Sequence, residues 1–172
     1  MPYASNNGVR IHYKVEGTGP PHALKHGSFG SEEDWFDLGY VGPQQHNHRL
    51  ILIDARGHWT SDKPHDSCDY EIPLRFADVT AVLDDLEIHR GDFFGYSMGG
   101  WIGSSDVLAT MAMPCLLFAG EADPRLPPVR TCAESIRQAA FIALPECGHV
   151  APLGRSDLVL PHVGAFFAQP RG

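Results

Sequence analysis

The sequence contains no hydrophobic run long enough to cross a bilayer, and it is poor in basic residues. Its longest nearly apolar stretch, residues 111–120, is far shorter than the roughly 20 residues that a membrane-spanning helix needs. Lysine and arginine number 13 against 21 acidic residues, which gives a formal net charge of −8 with histidine neutral. This balance argues against a general nucleic-acid or anionic-membrane surface. We therefore expect no nucleic-acid partner and no membrane span, and the charge does not identify a substrate.

Cysteine is scarce, and the common metal and dinucleotide motifs are missing. The four cysteines show no CxxC spacing, and the chain has neither HExxH nor GxGxxG. We expect reduced thiols, with a disulfide framework as the alternative, and we expect no metal and no cofactor. The first residues lack the basic then apolar pattern of a signal peptide, so a cytoplasmic location is expected.

The length and the order of predicted elements favour a single α/β domain over residues 1–172. Strands that alternate with helices predict a mostly parallel, doubly wound sheet with helices on both faces, in three α/β/α layers. Polar clusters follow several of the strands, where such sheets bind ligands. Strands are predicted at residues 9–15, 22–25, 50–53, 92–95, 114–119 and 141–144, and helices at 74–86, from 98 onward, 129–140 and 158–168.

A G-x-S-x-G motif occupies residues 95–99, between a predicted strand and a predicted helix. In this context the serine sits on a tight, strained turn that exposes its hydroxyl, which favours Ser97 as a nucleophile. A glycine-rich helix start is the alternative. A serine hydroxyl needs an adjacent base that is oriented by a third group. Asp123 and His149 follow Ser97 in the order serine, acid, histidine, and each comes just after a predicted strand.

With these residues the chain resembles the α/β-hydrolase superfamily, particularly small carboxylesterases, lactonases and perhydrolases. The resemblance extends over nearly the whole chain, and it is far more specific for the fold than for the substrate. The matching segments, in family order, are His26-Gly27, residues 54–58, residues 61–64, Gly95–Gly100, residues 117–123 and Gly148-His149.

The resemblance implies a role for each matching residue. Ser97 would be the nucleophile, His149 the general base and then acid, and Asp123 the carboxylate that orients His149. Backbone N–H groups of Met98 and Ser28 would form the oxyanion hole, with Phe29 as the alternative to Ser28. Relatives with an aspartate nucleophile are excluded, so the chemistry implied is acyl transfer. His26 and Arg56 resemble structural members of the family's loops.

The sequence departs from the family pattern between the nucleophile and the acid. Residues 98–113 suffice for a single crossover, so one core strand and the helical cap are expected to be missing, by nature or by truncation. Trp59 also stands where a glycine is common. An uncovered site would be open and shallow, with Phe29, Trp59 and Trp101 as substrate-contacting aromatics, together with Trp35, or else as core residues. Self-association through the bare face is also expected.

The leading hypothesis is a serine carboxylesterase for short or sterically accessible esters. Lactonase, perhydrolase, thioesterase and C–C hydrolase activities share the same residues. A non-catalytic ligand-binding or interaction protein on a hydrolase scaffold is the alternative from another class, since loss of a strand and cap could misplace Asp123.

Overall fold

The computed structural model describes residues 2–103, 115–135 and 139–168. The chain divides into two compact units, Met1–Ser105 and Asp106–Gly172, so a single domain over residues 1–172 stays a prediction. The first unit contains β1 (Tyr3–Asn6), β2 (Val9–Glu16), β3 (Pro21–Lys25), α1 (Asp34–Asp37), α2 (Val41–Gln44), β4 (Arg49–Ile53), a 3-10 turn (Ser67–Tyr70), α3 (Ile72–Asp85), β5 (Asp92–Gly95) and α4 (Met98–Gly103). The second contains β6 (Cys115–Gly120), α5 (Leu126–Ser135), β7 (Ala139–Leu144), α6 (Ala151–Gly154) and α7 (Ser156–Phe167).

The sheet of the first unit has the strand order β1-β2-β4-β3-β5. β1 and β2 form an antiparallel hairpin, and its turn residues Asn7 and Gly8 both have positive φ, at 51° and 84°, as a type I′ turn requires. β2 pairs antiparallel with β4, whereas β3 runs parallel to both β4 and β5. The α/β class is confirmed, and β4, β3 and β5 are the parallel part of a mixed sheet.

The core of the first unit lies between this sheet and α3. Leu50–Ile53 of β4 are fully buried, and α3 turns Val79 and Val82 toward the sheet residues Ile11 and Ile51 in one apolar cluster. α3 begins with Pro73 in its first turn, where the missing N–H of proline costs no helical hydrogen bond. The predicted helix over 74–86 is therefore confirmed with a slightly earlier start.

The second unit joins β6 and β7 in parallel register, with Cys115 opposite Ala139 and Gly120 opposite Leu144. The helix predicted over 129–140 is wrong at both ends, since α5 covers Leu126–Ser135 and β7 begins at Ala139. Pairing with β6 overrides the helical preference of the two alanines at 139 and 140. The predicted terminal helix is present as α7. The expected continuation of α4 toward residue 113 lies outside the described residues.

Within the described ranges, every helix is too short or too polar to traverse a bilayer. The loops that matter for function leave the carboxyl ends of parallel strands. In the first unit these loops follow β3, β4 and β5, and in the second unit they follow β6 and β7. Parallel strands end at one edge of their sheet, so each unit gathers its own polar loops at one edge.

Candidate active site

Ser97 occupies a sharp strand-to-helix turn between β5 and α4. Its φ is 48°, a left-handed conformation that a non-glycine residue adopts only under strain. The flanking glycines have no room for a side chain, because a Cβ on Gly95 would lie 2.5 Å from backbone atoms of Gly99 and one on Gly99 would overlap the Lys25 carbonyl. The turn therefore fits the nucleophile geometry that the G-x-S-x-G motif predicts.

The loop after β3 lies directly against this turn. A Cβ added to Gly27 would come within 3.2 Å of the Ser97 Cβ and 2.8 Å of the Tyr96 ring. This proximity places Ser28 and Phe29, the two candidate oxyanion donors, in the loop beside Ser97. Met98, which is expected to supply the other oxyanion donor, begins α4 immediately after Ser97. Phe29 has a φ of 65°, so this loop carries backbone strain of its own.

The second unit brings Asp123 and His149 together. His149 Nδ1 lies 2.8 Å from Asp123 Oδ2, with the carboxylate side chain 5% exposed and the imidazole 30% exposed. A carboxylate can only accept, so Nδ1 carries the proton and donates it, which leaves Nε2 as the acceptor nitrogen. This tautomer is the one that a general base held by an acid needs.

The loops after β6 and β7 are fastened to each other by backbone hydrogen bonds. The N–H of Glu121 donates to Leu144 O, and the N–H of Ala122 donates to Cys147 O, both at 2.9 Å. Gly120 is required at this junction, because a Cβ there would overlap the Cys147 carbonyl. Asp123 and His149 are thus held by a rigid pair of loops rather than by flexible segments.

Hydrogen bonds hold Asp123 in its ionised form. Burial alone would raise the pKa of Asp123, but bonds from the Arg125 backbone N–H, 2.9 Å from Oδ1, and from His149 outweigh it. The pKa of Asp123 is therefore lowered below its usual value. An ionised carboxylate is what an orienting role toward imidazole requires.

Arg125 is the residue that the sequence reasoning missed. Its Nη1 lies 2.6 Å from His149 Nε2, the nitrogen opposite the one bonded to Asp123. Nothing in the sequence signals this contact beyond the position of Arg125 two residues after the acid, since exposed arginines in such loops are usually solvated.

His26 and Arg56 have structural roles, as expected. His26 accepts a hydrogen bond from the Ala55 N–H at Nε2, 3.0 Å away, and donates from Nδ1 to the Gly27 carbonyl at 2.7 Å. Both ring nitrogens are therefore used by the backbone. Burial lowers the pKa of His26 to about 4, so the ring is neutral near pH 7. The Arg56 guanidinium is buried against Asp78.

His12, Glu32 and Asp54 form a buried cluster whose candidate ligand atoms lie within 4.8 Å of one another. His12 Nδ1 lies 3.3 Å from Asp54 Oδ2 and 3.4 Å from Glu32 Oε1. Burial, and the hydrogen bond with Asp54, raise the pKa of Glu32 to about 7. Asp54 already accepts N–H bonds from Glu32 and Thr60. The cluster ties the loop after β3 to the loop after β4.

The candidate substrate-contacting aromatics divide into two kinds. Phe29 is fully exposed at 101%, and Trp59 is 64% exposed on a strained loop with φ of 37°. Trp35 is completely buried and packs against Tyr40 and Phe94, which is the core alternative that the sequence left open for it. The Trp101 side chain lies outside the described residues.

Part of the chain matches a known protein family. Residues 24–113 match the model of the "Alpha/beta hydrolase family". A putative 2-succinyl-6-hydroxy-2,4-cyclohexadiene-1-carboxylate synthase from Bacillus subtilis (strain 168) is 33% identical over 102 residues, which are 58% of this chain and 36% of that protein. The chain thus spans about a third of this relative's length.

Two solved structures share the fold at low sequence identity. One is Est816, described as an N-acyl homoserine lactone degrading enzyme, with a TM-score of 0.86, 21% identity, and coverage of 96% of this chain and 100% of that one. The other is the esterase RhEst1 from Rhodococcus sp. ECU1013, with a TM-score of 0.85, 17% identity, and coverage of 97% and 98%. At these identities the likeness describes the fold.

Proposed function

Because the chain belongs to the alpha/beta hydrolase family, we propose that it is a serine hydrolase that cleaves carboxylic esters through an acyl-enzyme on Ser97. The observation that carries the proposal is the hydrogen bond of 2.8 Å between His149 and Asp123, which sets the tautomer of a general base. The strained turn at Ser97 supports the nucleophile role independently. The solved neighbours support the fold on which this reaction class is proposed.

In the proposed reaction, Ser97 Oγ attacks the ester carbonyl carbon while His149 Nε2 takes the hydroxyl proton. The carbonyl electron pair moves onto oxygen, where the backbone N–H groups of Met98 and of Ser28 or Phe29 would stabilise it. Collapse breaks the bond to the leaving alkoxide, which receives the proton from His149. Water then attacks the acyl-enzyme with His149 again as base, and the carboxylic acid leaves as Ser97 regains its proton.

A fluorophosphonate probe followed by peptide mass spectrometry tests the nucleophile. We expect an adduct on the peptide containing Ser97, no adduct in Ser97→Ala, and an unchanged adduct in Ser67→Ala, which alters an exposed serine in the 3-10 turn. Hydrolysis of a short nitrophenyl ester should be present in the proteins that are labelled and absent in Ser97→Ala. Absence of both in the folded wild type would favour the non-catalytic ligand-binding alternative.

The proposed partner is a small ester, with Phe29 and Trp59 as exposed apolar contacts for its acyl or alcohol group. Trp101 is proposed as a further aromatic contact for the ester. Self-association through uncovered apolar residues remains a prediction. Light scattering across micromolar concentrations tests it, and a monomeric mass throughout that range would contradict it.

A further inference from the structure

The guanidinium of Arg125 contacts Nε2 of His149, the ring nitrogen that acts as the base in the proposed function. Nη1 of Arg125 is 2.6 Å from His149 Nε2, which accepts because guanidinium has only donors and is always charged. In the proposed function, Nε2 takes the proton of Ser97. The arginine thus occupies the lone pair that must receive this proton.

The charge of Arg125 opposes the same step. When His149 takes a proton it becomes a cation, and the positive charge of Arg125 at hydrogen-bond distance repels it. The Asp123 carboxylate offsets one positive charge, but two cations would then face one anion. Rotation of the guanidinium away from Nε2, or its pairing with a second anion, would remove this repulsion.

Arg125 is well placed to receive such an anion. Its backbone N–H is fixed to Asp123 Oδ1, so only the side chain needs to rotate. The residue is exposed, and among the residues that the structure describes no carboxylate forms an ion pair with its guanidinium. Asp123 directs its two oxygens to the Arg125 backbone and to His149 instead.

We propose that Arg125 recognises a carboxylate carried by the substrate and that this recognition releases Nε2 of His149. The proposal rests on the proposed function and narrows its substrate class to anionic esters or lactones, which carry a carboxylate besides the scissile bond. A carboxylate accepts two parallel bonds from guanidinium, which together are stronger than one bond to neutral imidazole. Binding the correct substrate therefore draws the guanidinium from Nε2 and neutralises its charge.

Paired chromogenic esters test this specificity. Mono-4-nitrophenyl adipate and 4-nitrophenyl hexanoate differ in the terminal carboxylate and share the same six-carbon acyl chain. We expect wild type to prefer the adipate ester in kcat/KM, and Arg125→Met to lose about 10–100-fold on that ester, the range for one charged hydrogen-bonded contact. The hexanoate rate should rise in Arg125→Met, because Nε2 is then uncovered. Arg125→Lys should keep part of the preference for the adipate ester over the hexanoate ester.

Arg130→Met is the matched control. It removes the same charge from α5, where Arg130 stacks on Phe141, and should keep the wild-type ratio of the two esters. Equal losses on both esters in Arg125→Met, or equal gains on both, would overturn carboxylate recognition. Equal gains on both esters would instead mean that Arg125 only covers Nε2 of His149.

Binding separates this proposal from the esterase proposal. Adipate should shift the imidazole nitrogen resonances of His149 in wild type and in Arg130→Met, but not in Arg125→Met. If Ser97 takes no fluorophosphonate and neither ester is cleaved, the proposed function fails, and the adipate titration still decides whether Arg125 binds carboxylates. No shift in wild type overturns the recognition role even where ester hydrolysis is present.

Discussion

Arg56 and Asp78 form a buried two-point ion pair that joins the loop after β4 to α3. Nε of Arg56 lies 2.7 Å from Oδ2 of Asp78, and Nη2 lies 2.5 Å from Oδ1. Both side chains are almost fully buried, and Asp78 also accepts a hydrogen bond from Asn6. The pair fixes the loop that starts at Asp54, and Asp54 in turn holds the backbone of Glu32 in the loop after β3.

Removing the charge of Asp78 should destabilise the protein strongly. Asp78→Asn keeps the shape but leaves the Arg56 guanidinium buried without an anion, so we expect a loss of about 3 kcal/mol in the free energy of unfolding. Urea denaturation measures it. Asp84→Asn is the control, because Asp84 lies on the exposed face of the same helix. A stability loss no larger than that of Asp84→Asn would show that the pair is not essential.

Local patterns predicted the site elements well where each residue acts through its own segment. The G-x-S-x-G spacing indicated a strained turn, and Ser97 has the positive φ that such a turn requires. The order of Asp123 and His149 after two apolar runs predicted their hydrogen bond, because parallel strands deliver both loops to one edge. The turn depends on short-range sequence, and the hydrogen bond depends on the parallel pairing of β6 and β7.

Features set by tertiary contact were not predictable in the same way. The alanines at 139 and 140 favour a helix locally, but pairing with β6 makes them a strand. The sequence leaves Trp35 open between the site and the core, and only its contact with Tyr40 shows that its ring packs in the core. The contact of Arg125 with His149 depends on a side-chain rotamer, for which no sequence spacing is diagnostic.

Neutralising Asp123 should remove most of the activity without unfolding the protein. Asp123→Asn cannot stabilise the imidazolium and no longer enforces the Nδ1–H tautomer, so we expect kcat on a nitrophenyl ester to fall by about 10⁴. Glu121→Gln, at an exposed carboxylate two residues earlier, is the matched control and should retain wild-type kcat. Circular dichroism verifies folding. A folded Asp123→Asn with more than a tenth of wild-type kcat would exclude Asp123 as the orienting acid.

Acid should destabilise the protein through His26. Its pKa is lowered to about 4, mainly by burial, from an ordinary value of 6.5, so the unfolded chain binds the proton first as pH falls. Its contribution is fully present above pH 6.5 and is lost progressively toward pH 4, by about 3 kcal/mol. Urea denaturation at pH 7 and pH 4.5 measures the loss. His26→Asn should lose less unfolding free energy between pH 7 and pH 4.5 than the wild type does. An equal loss in the variant and the wild type would contradict the prediction.

Alkaline pH should stabilise the protein through Lys25, the one charged residue of β3. Lys25 is 1% exposed, and its Nζ lies 3.4 Å from the Asp54 carbonyl oxygen. Burial lowers its pKa to about 8 from 10.5, although Asp78 and Asp54 act in the opposite direction. Below pH 8 the folded state bears the full penalty of a buried ammonium, and between pH 8 and 10.5 the unfolded state binds more protons, so stability rises with pH.

The difference in unfolding free energy between wild type and Lys25→Met isolates this effect from other groups that titrate in the same range. We expect the wild type to gain up to about 3 kcal/mol relative to the variant between pH 7.5 and 10.5, which corresponds to the lowering of the lysine pKa. Lys63→Met, at an exposed lysine, should show no such gain. A constant difference between wild type and Lys25→Met across this range would mean that Lys25 keeps its ordinary pKa, with a hydrated ammonium inside the sheet.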